Sequence, residues 1–247
     1  MVKSQSEDPI VYDVIVDQDV AYVSYGSAGL HIVDVSDKND PFLISVYDHP
    51  GEIVDAFLLN QQIYTLFSNS SLRIIDVSDV ENPTLVGYIT LPCPTYNVVV
   101  DNNTAYVAAG ENGLKIINVT DTSSISIIET YHSIGEVKDV KIKDGLIFLA
   151  DGSNSFLILN NNNPLNPTLI SSLNTGHCES IFVGEYFVYL ACGSNGLEIV
   201  DVSNSSNPYS VGSYWTSNKI SSVYVEFNDL AFVADGVGGL KIVDVGT

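Results

Sequence analysis

Apolar residues in this chain come in short runs, and polar turn formers separate the runs with great regularity. The first stretch reads "YDVIV", "AYVSY", "LHIVDV" and "FLISVYD", with "DQD", "GSAG" and "SDKNDP" between them. Runs of this length, rich in β-branched residues, predict strands rather than helices. Gly, Asn, Asp and Pro fill the gaps, and no gap exceeds an ordinary hairpin or loop. In "LHIVDV", Leu30 and Ile32 point to one side of a strand while Val33 and Val35 point to the other. Both faces of the sheet therefore call for cover.

The third run returns through the whole chain: "GLHIVDVSD" at Gly29, "SLRIIDVSD" at Ser71, "GLKIINVTD" at Gly113, "SFLILNNNN" at Ser155, "GLEIVDVSN" at Gly196 and "GLKIVDVGT" at Gly239. Successive copies begin 42, 42, 42, 41 and 43 residues apart, a period that belongs to propeller blades or solenoid units. Radial packing covers both faces of every sheet, whereas an open solenoid needs polar caps, and the first and last copies are no more polar than the others. Val2 to Ser6 align with Ile44 to Asp48, a fourth strand, while the sixth copy ends after its third strand at Val245. The expectation is an all-β six-bladed β-propeller of four-stranded blades. It forms a single domain over residues 1–247, its ring closed by the N-terminal strand completing the last blade.

Composition narrows the partners. With 30 acidic and 9 basic residues the net charge is -21, so nucleic acid and anionic membrane surfaces are repelled. No run approaches the roughly 20 apolar residues that span a bilayer, which argues against direct membrane insertion, and "MVKSQSEDP" has no signal-peptide core. Met1 is the only methionine and the text stops just after "IVDVGT". The chain reads as a fragment of a longer protein.

"LHIVDVSDKNDP", "LRIIDVSDVENP" and "LEIVDVSNSSNP" resemble the LVIVD-repeat family of β-propellers in bacterial and archaeal cell-surface proteins. "AYVSYGSAGL", "AYVAAGENGL" and "AFVADGVGGL" resemble the segment preceding that motif, and the likeness covers essentially the whole chain. The fourth copy departs most, with "LILNNNNPLNP" in place of the acidic turn. The resemblance implies an extracellular or cell-surface scaffold that binds protein or glycan, and it transfers no catalytic residues.

Several residues remain candidates for chemistry. Asp34, Asp76, Asn118, Asn160, Asp201 and Asp244 close the third strands. They suit turn-ordering hydrogen bonds, with one calcium ion per blade as the alternative. A second set, Asp13, Asp55, Asn97, Asp139, Ser180 and Ser222, stands at the start of the innermost strands, near the expected channel mouth. Asp13, Asp55, Asn97 and Asp139 make up a candidate calcium site. The competing reading is that each side chain ties its blade to the next. Glu7, Asp8, Glu52, Glu136 and Glu179 precede these strands and crowd further carboxylates onto the same face.

Cys178 and Cys192 flank the hairpin "ESIFVGEYFVYLA", opposite each other if its turn centres on Glu185. A cross-strand disulfide and a pair of small buried thiols both fit, with Cys93 left over. His31, His49, His132 and His177 have no ligand spacing, and the lone arginine, Arg73, excludes sialidase-type carboxylate clamps. No "GxSxG" elbow occurs, and "GVGG" lies between strands rather than before a helix. Glycosylation sequons stand at Asn69, Asn102, Asn118 and Asn204. The leading reading is a non-enzymatic module for adhesion, assembly or binding. The alternative is an enzyme with a metal-assisted site at the channel mouth.

Overall fold

The structure is a computed structural model that describes residues 10–152, 155–226 and 229–246. Apart from a 3-10 turn at Gly236–Gly238, its regular elements are strands, grouped into antiparallel sheets that follow the sequence repeats. The fold is an all-β six-bladed propeller with mostly four-stranded blades. No helix among the described residues is long and apolar enough to cross a membrane. The chain clusters into two compact units. One holds the chain through Val100 with Val119–Ser126, and the other holds Asp101–Asn118 and everything from Ile127 onward.

In the first unit, the first repeat runs Asp13–Asp17, Val20–Ser24, Leu30–Asp34 and Phe42–Tyr47, and the second runs Ile53–Leu59, Gln62–Phe67, Ser71–Asp76 and Thr84–Thr90. Both sheets keep chain order, each strand paired to the next. A two-residue turn at Asn60 and Gln61, with φ of 51° and 61°, joins Leu59 to Gln62. Positive φ at both positions matches the right-handed twist of the flanking strands. Gly29 shows why "GL" recurs: its φ is +88°, and a Cβ there would lie 2.5 Å from the Tyr47 carbonyl oxygen of the fourth strand. Tyr22, Leu30 and Ile32 from the first sheet bury against Ile53, Ile63 and Phe67 from the second.

In the second unit, the fourth repeat (Val137–Lys143, Leu146–Asp151, Ser155–Asn160, Thr168–Asn174) packs on the fifth (Ser180–Val183, Phe187–Ala191, Leu197–Asp201, Tyr209–Tyr214). The second strand of the fifth repeat sends Val188 and Leu190 into the cluster shared with the fourth repeat. It sends Tyr189 and Ala191 into a cluster with Val223, Ala231 and Val233 of the sixth. Alternation along one strand thus fills two interfaces, as the two-faced apolar pattern requires.

The expectation of cover on both faces does not extend to every strand. Val14 and Val16 of the first repeat are 56% and 60% exposed, and Leu240 and Ile242 of the last are 64% and 60% exposed. Each of these sheets packs on one neighbouring repeat within its own unit. The described part of the last sheet has three strands, Ser222–Glu226, Leu230–Ala234 and Leu240–Asp244. The expected closing strand, Val2 to Ser6, and the carboxylates Glu7 and Asp8 lie outside the described residues.

Candidate functional site

The residue closing each third strand orders the turn that follows. Asp34, Asp76, Asn160, Asp201 and Asp244 each accept the backbone amide two residues on, at 2.8–3.0 Å. The serine hydroxyl adds a second bond at Asp34 and Asp201. These bonds hold the Asp34, Asp76 and Asp201 carboxyls below the usual aspartate range. At each of these positions one side-chain oxygen, Oδ1, is engaged by the chain's own turn.

Neighbouring repeats are joined at the start of their first strands in two ways. Glycines of the "GSAG"-type loops form single antiparallel bridges to the next repeat, Gly26 with Ile53, Gly110 with Val137 and Gly193 with Ile220. Each of those loops therefore lies beside the lead-in segment of the next repeat within its own unit. The second tie comes from the carboxylates at this level. Asp55 Oδ2 accepts the Val98 amide at 2.7 Å, and Asp139 Oδ2 accepts the Ile181 amide at 2.7 Å. Asp139 is 4% exposed, and its Oδ1 accepts a bond from Lys141 Nζ at 2.6 Å. Both partners lie a full repeat further along the chain, so for these two residues the structure displays the blade-to-blade tie. Among the described residues, no group of three or more His, Cys, Asp or Glu side chains is placed to hold a metal ion.

The expected crowding of unrelieved carboxylates is also revised. Glu136 pairs with Lys138 at 2.8 Å, and Glu179 pairs with Lys219 at 2.5 Å and His177 Nε2 at 3.3 Å. Bonding to the Lys138 ammonium holds the Glu136 carboxyl below its ordinary value. Burial pushes Glu179 up, but the Lys219 ammonium, supported by His177 and Lys138, outweighs it and holds the carboxyl low. Counting acids along the sequence missed this neutralisation. The signal was present in Glu136/Lys138 and Asp139/Lys141, because residues two apart on an extended chain share a face.

Beside Glu179 lies a cavity of about 360 Å³ lined by His177, Cys192, Gly193, Ser194, Asn195 and Lys219. Cys178 and Cys192 are joined in a disulfide beneath it. Their Cα atoms are 3.7 Å apart, closer than the roughly 4.4–6.8 Å that such bridges usually span. The ladder pairs Ser180 with Ala191 and Val183 with Val188, so the hairpin centres between Glu185 and Tyr186 rather than on Glu185. The Cα separation nevertheless sets the two cysteines opposite each other, just beyond the Ser180–Ala191 pair. Cys93 is buried elsewhere, at 5% exposure. Of the sequons, Asn69, Asn102 and Asn204 are exposed and Asn118 is half-buried. Asp151, fully buried, is pushed up by burial despite bonds from Ser133 and the Gly135 amide, and its Oδ2 has no hydrogen-bond partner.

The family model for the LVIVD repeat matches residues 10–49, 63–90, 94–133, 134–175, 176–216 and 222–246. No curated protein matches the chain by sequence. Solved structures match its fold. A chain of the mitotic checkpoint complex aligns with TM-score 0.84 at 13% identity, over 99% of this chain and 80% of that one. A functionally unknown protein from Desulfotomaculum acetoxidans DSM 771 aligns with TM-score 0.74 at 15% identity, over 96% and 85%. The computationally designed protein Ika8 aligns with TM-score 0.72 at 8% identity, over 95% and 71%. At these identities the likeness is one of fold alone.

Proposed function

The chain belongs to the LVIVD-repeat family, and on that premise we propose that it is the binding module of a larger cell-surface protein. Residues 1–247 act as one non-enzymatic propeller domain, outside the cell, presenting loops to a protein or glycan partner in adhesion or assembly. The observation that carries this reading is the family match, which recurs in six segments along the chain. The net charge of -21 supports it, since such a surface is soluble and shuns nucleic acid. So do the glycine loops that meet the lead-in segments within each unit, because loops on a rigid scaffold are where binding residues concentrate.

Antibodies against residues 1–247 test the reading on intact cells of the source organism. Labelling without permeabilisation is expected, and added soluble propeller should compete with cell attachment or envelope assembly. Labelling only after permeabilisation would overturn the surface assignment.

A further inference from the structure

Trp215 is the only tryptophan in the chain, and it stands 70% exposed. An indole left in water forgoes the burial a core position would give it, and tryptophan in such a setting is a recurrent anchor for ligands. It begins the connection that leads from Tyr214, the end of the fifth repeat, to Lys219 and the bridge at Ile220. Its Cα packs on Gly196, where a Cβ would come within 2.9 Å of it. Gly196 closes the turn whose Gly193, Ser194 and Asn195 line the 360 Å³ cavity, and Lys219 forms another wall. The connection carrying the indole is thus continuous with the rim of that cavity.

The cavity is held in shape before any ligand arrives. The disulfide fastens Cys178, between His177 and Glu179, to Cys192, which directly precedes Gly193. The Gly193 carbonyl accepts both the Gly196 amide at 3.3 Å and the Ile220 amide at 3.1 Å. Gly176, with φ +82°, leaves room for the Asn195 carboxamide, which a Cβ there would strike. A site so braced loses little conformational freedom on binding.

Charge selects the ligand class. Glu179 pairs with Lys219, so the lysine of the wall is already neutralised. The net charge of -21 disfavours anions further. What remains is a hydroxyl, a carboxamide and a paired lysine with spare donors and acceptors in the cavity, and an exposed indole on the connection that adjoins its rim. A sugar ring presents this complement, with C–H groups on one face and hydroxyls around its edge. We propose that the Ser194–Asn195–Lys219 cavity and Trp215 form a binding site for a neutral saccharide, an inference that rests on the surface-module reading above. Its volume falls within the roughly 300–1,000 Å³ of small-ligand sites.

Residues 1–247 titrated with cellobiose, maltose, lactose and chitobiose test this by calorimetry and by emission of the single indole. At least one of these neutral sugars should give a saturable response. Trp215→Ala and Asn195→Ala should each weaken it by about tenfold or more, with the thermal midpoint unchanged, and a uronic-acid disaccharide should bind more weakly than its neutral counterpart. No saturable response to any of the four up to millimolar concentrations, or binding untouched by Trp215→Ala, overturns the saccharide site. Loss of cell attachment in Trp215→Ala without sugar binding makes the partner a protein, which overturns this inference and leaves the surface module standing. Sugar binding that depends on Trp215, in a protein absent from the cell surface, supports the site and overturns only the surface reading.

Discussion

Replacing Asp139 with alanine removes a carboxylate tie between repeats, and its cost follows from the bonds it makes. Its Oδ2 accepts the amide of Ile181, a residue 1% exposed. After truncation that amide has no bond and little water. A hydrogen bond to a charged group contributes about 1.5–3 kcal/mol, and a buried unsatisfied donor costs about 1–3 kcal/mol. These overlap, so the expected loss is about 3 kcal/mol. The Lys141 ion pair adds little, because the lysine side chain is 35% exposed and such pairs contribute less than about 1 kcal/mol. In a chain of 247 residues, each kcal/mol moves the midpoint by about 2–4 °C. Asp139→Ala should therefore melt about 6–12 °C early by calorimetry or circular dichroism at pH 7. Asp139→Asn keeps an acceptor for the Ile181 amide and should lose about a third as much. Lys141→Met should change the midpoint by no more than about 3 °C. Millimolar calcium provides a second arm, since an ion held by Asp13, Asp55, Asn97 and Asp139 would raise the parent's midpoint with concentration and fail to raise that of Asp139→Asn. An alanine variant within about 1 °C of the parent would refute the tie, and a calcium shift abolished by Asp139→Asn would make metal binding the use of these residues.

Three further outcomes follow from single contacts. Cys178→Ser with Cys192→Ser opens a loop with a sequence separation of 14 and should cost about 3 kcal/mol, read as a lower urea midpoint that reducing agent no longer affects; an unchanged midpoint would show that the bridge does not stabilise the hairpin. Asp151→Asn should raise stability at pH 7. Burial lifts the folded Asp151 pKa above its ordinary 3.8, so its ionisation cost is absent below that value and grows as pH rises through the folded pKa. The variant's advantage should shrink toward pH 4, and a gap constant with pH would refute the assignment. Gly29→Ala imposes a side chain on φ +88° and against the Tyr47 carbonyl, which should cost at least about 1–2 kcal/mol by the same melting assay, whereas an unaffected variant would mean that "GL" recurs for another reason.

The architecture was legible in the sequence because a repeat writes its structure many times over. Strands, turns and period follow from local alternation, from residues such as Asn60 that tolerate positive φ, and from Asp34-type side chains that bond two residues on. All of these act within a few positions of the chain. What the carboxylates do is a different matter. Asp139 at a strand start is equally suited to a cation or to a backbone amide until the next repeat delivers Ile181 to within 2.7 Å. Glu179 counts as one more negative charge until Lys219, from the following repeat, meets it at 2.5 Å. Cys178 and Cys192 were expected opposite each other and are joined there, although the hairpin turn, closed by Gly184 bonding Phe187, centres half a residue later than assumed. The exposure of Trp215, on the connection that adjoins the cavity at Ser194 and Asn195, had no sequence signal at all, since exposure and neighbours are properties of packed repeats. Local pattern determines which elements form, because its forces span a few residues. The partner a polar side chain finds some forty residues away is decided only when tertiary packing sets the distance.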